Sequence, residues 1–302
     1  YRRQILALKQ FFVGRGCTVL LLDDYSGLDD QHLQSIAHGV IRLEHLLSDY
    51  GGERRRLRIL KHRGTSFIGG AHDLRIVRGG LKVFPREASD QPIEAVETHL
   101  VDSGIKEFDE LLGGGLNAGT SALLLGPAGV GKSSMALQFA IAAAERNERA
   151  VLFQFEESMQ SLFVRAKGLG FDLQKRVDDR LIQVINLVPG EITPSEFACL
   201  VRESVQIDEQ TMGTPVDTSY LADSVVLFRY FEADGKIRQA ISVIKKRTGR
   251  HERTIREFKL SERGVEIGPP LTEFSGILTG VPEFKGGNDS LIDRGDAEGR
   301  PS

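Results

Sequence analysis

Between residues 126 and 133 the chain reads Gly126-Pro127-Ala128-Gly129-Val130-Gly131-Lys132-Ser133, preceded by the apolar run SALLL (121–125) and followed by the alanine-rich stretch SSMALQFAIAAAE (133–145). The pattern GxxxxGK[ST] set between a strand and a helix is the signature of a phosphate-binding loop. Glycines let the backbone wrap an anion so that successive N–H groups and the positive end of the following helix face it. In that arrangement Lys132 reaches the β and γ phosphates of ATP, the Ser133 hydroxyl ligates Mg²⁺, and Ser134 continues the first helical turn. From average residue usage, a chance match in a chain of this length is on the order of one in a hundred.

Working outward, strands and helices alternate. A helix over IKEFDELL (105–112), a glycine turn at Gly113–Gly115, the strand and phosphate loop, a strand at Ala150–Phe155, another at Leu181–Leu187 and a helix at Pro194–Val205 follow in order. Such alternation predicts an α/β fold, a mainly parallel sheet covered by helices on both faces. Glu156 and Glu157 follow the strand VLFQF, at the carboxyl end where ligands lie in such sheets. There a carboxylate can orient a water or hydroxyl for attack on a γ-phosphate. Equally, EES can supply acidic residues to the first turn of the next helix.

The chain also repeats itself. Leu57–Pro85 aligns without gaps on Ile241–Pro269, pairing Lys61 with Lys245, Arg63 with Arg247, Gly80 with Gly264 and Pro85 with Pro269. Each copy follows a similar apolar run, AHGVIRLEHL (37–46) or ADSVVLFRYF (222–231). Each reads as a strand, a turn, a strand ending in K-x-R and a further hairpin with Gly at its turn. Lys245 and Arg247 alternate on a strand and so share a face. A solvated charged face is the ordinary meaning, and recurrence of the pair adds a phosphate-directed one. The expected organisation is the C-terminal part of a first domain at 1–85, a polar linker at 86–99, a second domain at 100–282 and a disordered tail at 283–302.

Composition is that of a globular protein: 302 residues, 40% hydrophobic and 27% charged, with a net charge of −3. No bulk basic field points to nucleic acid. Cys17 and Cys199 stand far apart, are expected as core thiols and suit a reducing compartment. The seven histidines lack metal-ligand spacing. No apolar run is long enough for a membrane helix, and no signal sequence opens the chain, which predicts a cytoplasmic location. The start at Tyr1, without methionine, suggests a piece of a longer protein.

Taken together, SGIKEFDELLGGGL (103–116), GPAGVGKSS (126–134), FEES (155–158), DSVVLFRYFE (223–232) and KKRTGRHERTIREF (245–258) resemble the KaiC group of the RecA superfamily. The resemblance implies tandem RecA-like domains of the P-loop NTPase type, hexameric double rings, ATP held between subunits and, in some members, autophosphorylation on Ser or Thr in a signalling or circadian role. It implies that Gly126–Ser134 bind nucleotide, that Glu156 and Glu157 are paired catalytic glutamates, and that Lys245 and Arg247 act on the γ-phosphate held by the neighbouring subunit. A signalling protein partner is implied as well. The family's adjacent Ser-Thr acceptor pair falls on Ser219-Tyr220 and is not retained; Thr218 and Ser219 are the nearby hydroxyls.

Two departures stand out. The first domain has no phosphate loop; VLLLDD (19–24) resembles either a Walker B strand or, from its position, the family's following strand. In the second domain the helix ending RESV runs into QIDEQTMGTPVDT (206–218), where the family places a Walker B strand, a helix and a further strand. A block of core is therefore expected to be missing near 205–212, with Asp208 the acidic residue beside the gap. Loss of a central strand removes buried contacts and opens a sheet edge. Hydrolysis is expected to suffer more than binding, so a ring subunit that binds nucleotide without turning it over is the main alternative. A DNA-recombination ATPase of the same superfamily fits less well, because no zinc module or helix-hairpin-helix is visible, although KKRTGRHER (245–253) is locally basic.

Overall fold

A computed structural model describes residues 2–12, 14–23, 31–47, 51–86, 99–205, 222–233, 235–277 and 283–284. The chain divides into two compact units, one of residues 1–90 with 190–200 and the other of residues 91–189 with 201–302. No helix among the described residues is long and apolar enough to cross a membrane.

The first unit contains α1 (Arg2–Phe12), α2 (Gln31–Ile36) and an antiparallel meander of β1 (Gly39–Leu46), β2 (Arg54–His62), β3 (Ala71–Val77) and β4 (Gly80–Phe84), adjacent in chain order. The second unit opens with β5 (Leu100–Val101), α3 (Lys106–Leu111), β6 (Leu116–Asn117), β7 (Ala122–Leu125) and α4 (Lys132–Glu145). There follow β8 (Ala150–Gln154), α5 (Met159–Gly168), α6 (Leu173–Asp178), β9 (Ile182–Asn186) and α7 (Pro194–Val205), the last shared in sequence between the units. A second meander closes it: β10 (Ser224–Ala233), β11 (Lys236–Lys246), β12 (Arg256–Ser261) and β13 (Gly264–Pro270), with the short pair β14 (Phe274–Ser275) and β15 (Glu283–Phe284).

The two meanders match in detail. Val40 pairs with Lys61 and Val225 with Lys245, and at the next pair each second strand carries an extra residue, Leu60 or Ile244, as a bulge. The amide of Arg63 donates to His38 O and that of Arg247 to Asp223 O, at equivalent positions. Both second hairpins turn over two residues into a glycine, Gly80 or Gly264.

Their surroundings differ. β10 pairs in parallel with β7, giving the sheet order β13-β12-β11-β10-β7, and α3 and α4 cover its apolar face. The core there joins Phe108 and Leu111 of α3 to Met135 of α4 and to Phe228, Ile241 and Phe258 of the sheet, with Phe228 and Phe258 edge to face at 5.2 Å. At equivalent positions, Val226 and Phe228 are 1% and 0% exposed, whereas Ile41 and Leu43 are 64% and 60% exposed. Among the described residues, no comparable layer covers β1.

α4 is apolar all round because it is buried on two sides. Met135 faces the sheet, while Leu137, Ile141 and Ala144 pack on Leu162 and Ala166 of α5, Leu173 of α6 and Ile182 of β9.

Several expectations need correction. The α/β class holds, but among the described residues parallel pairing is confined to β7 with β10 and to β8 with β9, and these pairs form separate sheets. The block expected to be missing falls near 205–212, and residues 206–221, including Asp208, Thr218 and Ser219, lie outside the described residues. VLLLDD forms no strand over its described part, where Leu20 and Leu22 are exposed and no described strand pairs with it; Asp24 lies outside the described residues. Cys17, in the same stretch, is exposed rather than a core thiol. The tail begins in a strand, since Glu283 and Phe284 pair with Ser275 and Phe274. Residues 87–98, most of the expected linker, and 285–302 lie outside the described residues.

The contrast between the two meanders predicts opposite mutational costs. Phe228→Ala should destabilise the protein by about 3–5 kcal/mol. Leu43→Ala, at the equivalent exposed position, should change stability by less than about 0.5 kcal/mol. Urea unfolding of both variants beside the parent chain measures this difference.

Candidate functional site

β7 ends at Leu125 and the loop Gly126–Gly131 leads directly into α4. Two constraints select glycine here. A Cβ on Gly126 would lie 2.8 Å from the carbonyl oxygen of Phe228 and 2.9 Å from its Cβ. Gly131, the N-cap of α4, has φ +105°, and a Cβ there would meet the Phe258 ring at 2.5 Å. Val130 between them is fully buried in the α3–sheet core, which pins the loop, while Pro127, Ala128 and Gly129 are exposed.

No side chain caps α4, and its first turn carries no acidic residue. The first amides of the 14-residue helix are thus left for an anion, with the positive end of the helix dipole behind them. Lys132 folds back on the loop, its Nζ donating to Gly126 O at 2.8 Å and Pro127 O at 2.7 Å. Ser133 is exposed beside it, and Ser134 is buried. This set fits nucleotide phosphates. For Mg²⁺ it offers the Ser133 hydroxyl, which suits an ion held largely by phosphate oxygens and water. Among the described residues, no three His, Cys, Asp or Glu side chains converge as a metal cluster.

Glu156 and Glu157 both precede α5, whose N-cap is Ser158, so they are not residues of its first turn. Their environments differ. Glu156 is exposed. Glu157 is half-buried and held at both oxygens by Arg165, with Nε to Oε1 at 3.1 Å and Nη2 to Oε2 at 2.7 Å.

Lys245 and Arg247 do share a face. Lys245 Nζ donates to Ala222 O at 2.9 Å, and Arg247 Nη1 lies 3.5 Å from Asp223 Oδ1. Lys246 between them points the other way; its buried ammonium donates to Leu112 O and Gly115 O, and burial lowers its pKa from the usual lysine value. The register places the pair at the far end of the sheet. Lys245 pairs with Val225, Val225 with Leu123, and Asp223 accepts from the amide of Ser121, whereas the phosphate loop starts after Leu125. From Ser121 to Gly126 an extended chain covers roughly 16 Å. Lys245 and Arg247 therefore do not meet the phosphate loop of their own chain.

Three residues went unnoticed in the sequence. Arg165 bridges Glu157 and the Ser134 hydroxyl, Asp223 ties down the start of β7 through the amide and hydroxyl of Ser121, and Tyr230 donates its hydroxyl to Ala128 O at 3.3 Å. Tyr230 and Asp223 lie about a hundred positions from their partners, and no local pattern marks such pairs.

The family model described as "ATPase: KaiC" matches residues 1–88 and 101–210. The chain is 26% identical over 330 aligned positions to the circadian clock protein KaiC3 of Synechocystis sp., covering 92% of this chain and 65% of that protein. It is 28% identical over 333 positions to the circadian clock oscillator protein KaiC of Thermosynechococcus vestitus, covering 93% and 63%, and 27% identical over 333 positions, with the same coverage, to that of Synechococcus elongatus. The chain thus spans a little under two thirds of the length of these curated relatives. The alignments contain more positions than this chain has residues, so the relatives carry residues inside the matched region that it lacks.

The close approach at the head of α4 predicts that Gly131→Ala strains the backbone and displaces Phe258. A loss of about 1–3 kcal/mol is expected, measured by urea unfolding.

Proposed function

The chain belongs to the KaiC family of ATPases, and from that premise we propose that it binds ATP with Mg²⁺ at Gly126–Ser134 and hydrolyses it at the interface between subunits of a homo-oligomeric ring. The observation that carries this reading is the head of α4, where uncapped amides, the Lys132 ammonium and the Ser133 hydroxyl converge at a loop pinned by Val130. On nucleotide binding, Lys132 exchanges its two loop carbonyls for the β and γ phosphates. The exposed carboxylate of Glu156 orients the attacking water and takes its proton. The Ser133 hydroxyl would help hold Mg²⁺, which would supply neutralisation of the charge developing on the phosphates.

The placement of Lys245 and Arg247 supports the ring. A cationic pair on the end of the sheet opposite its own phosphate loop is suited to the γ-phosphate of an adjacent subunit, as an arginine supplied from a neighbour is in other phosphoryl-transfer enzymes. A hexamer, a cytoplasmic location, a protein partner and a signalling or circadian-type role are part of the same reading. Autophosphorylation belongs to it only if a hydroxyl reaches the site; Thr218 and Ser219 lie outside the described residues.

A second reading is favoured by one observation. β7 pairs only with β10 among the described residues, so the phosphate loop sits on an edge strand. A subunit that binds nucleotide but turns it over poorly has the same loop with a less rigid support.

Binding of a fluorescent ATP analogue, with and without Mg²⁺, separates these readings from no function at the loop. Lys132→Ala should weaken binding about 10- to 100-fold, the loss of a charge-assisted hydrogen bond; equal binding by both proteins would rule the loop out. Arg247→Ala should keep analogue binding while lowering turnover. Turnover by the parent chain that rises with protein concentration supports the shared site, and binding without turnover supports the second reading.

A further inference from the structure

Among the described residues, no backbone ladder joins the glutamate turn to the phosphate loop. β8, which leads into Glu156 and Glu157, pairs only with β9 among the described residues, and the sheet that carries β7 ends there. In the apolar cluster that α4 and α5 share, Leu137 is the first buried residue of α4, after the helix's first turn. At the phosphate end itself, a guanidinium forms a bridge. Arg165 on α5 holds both oxygens of Glu157 and places Nη1 3.3 Å from the Oγ of Ser134, the residue after the one directed at Mg²⁺.

We propose that Arg165 is a positioning residue for hydrolysis, tying the Glu156–Glu157 turn to the head of α4 through its contacts with Glu157 and Ser134. The proposal rests on the reading of this site as an ATPase and assigns the two glutamates different duties. Both Glu157 oxygens are occupied by the fork of Arg165, so Glu157 serves as the anchor. Glu156, one residue earlier, is the exposed carboxylate that the anchor holds near the nucleotide. A planar guanidinium suits this role because it engages a carboxylate at two points and still has a donor for a third group. Stability alone explains the contact poorly: with both side chains about one quarter exposed, such a pair contributes no more than about 1 kcal/mol.

The test is a double-mutant cycle on the full chain with Arg165→Met, Glu157→Gln and both together, with Arg165→Lys as the conservative change. If Arg165 positions the turn, analogue affinity with Mg²⁺ stays within about twofold while turnover falls about 10- to 100-fold in each single variant. The double variant should then be no slower than the slower single variant, because both remove one contact. Arg165→Lys, which cannot hold three groups at once, should recover only part of the rate. Additive losses, unchanged turnover, full rescue by lysine, or affinity falling in step with rate would overturn the proposal. Amide hydrogen exchange at residues 155–158 supplies a readout independent of turnover. It should quicken about tenfold or more in Arg165→Met, with midpoints of urea unfolding preserved. If the parent chain shows no Lys132-dependent turnover, the ATPase reading fails separately, and the exchange rates alone decide whether Arg165 holds the turn; unchanged exchange would refute it.

Discussion

The parallel pairing of Ala122–Leu125 with Ser224–Leu227 is the contact on which the second unit depends. It seats the phosphate loop, and the chain forms it only after a crossover of about a hundred residues. A parallel pair always needs a crossover, but one this long carries a large closure entropy before any contact rewards it. Packing offsets that cost. Val130 and Met135 enter the same core as Phe228 and Phe258, and Asp223 fastens the other end of β7 through Ser121. The loop is thereby fixed at both ends of a strand that has only one partner among the described residues.

The two meanders are a natural control for what such a core contributes. Strand order, the two-residue turn before Gly80 or Gly264 and even the register shift after Val40 or Val225 are the same in both. These features need only local alternation and turn chemistry. Burial differs because it depends on what packs against the sheet. Apolar side chains at matching positions are core residues beneath α3 and α4 in one unit and surface residues in the other.

The chemistry of the site is divided in the same way. The phosphate loop is built from consecutive residues and the helix it starts. Hydrolysis needs groups from separate elements held to within about half an ångström. Here the glutamate turn reaches the head of α4 through the α4–α5 core and Arg165, and the Lys245–Arg247 pair lies at the opposite end of the sheet. In the proposed reading, a chain so arranged binds nucleotide on its own residues and depends on its neighbours to act on it.

What the sequence determined by itself was everything with a short fixed spacing. The phosphate loop, its flanking strand and helix, the repeated meanders and the shared face of Lys245 and Arg247 follow from glycine conformations and from periods of two and 3.6 residues, which operate within a few residues of chain. Tertiary structure decided the rest. VLLLDD has strand composition yet forms none over its described part, because a buried strand needs partners on both sides. EES could supply acidic residues to a helix's first turn or face a nucleotide; α5 begins at Met159 after the Ser158 cap, which leaves both glutamates outside that turn, and Arg165 claims Glu157 but not Glu156. The separation of Lys245 and Arg247 from their own phosphate loop, and the grips of Asp223 on Ser121 and Tyr230 on Ala128, join residues about a hundred positions apart. Such contacts leave no local pattern, because they arise only when the sheet brings distant segments into register.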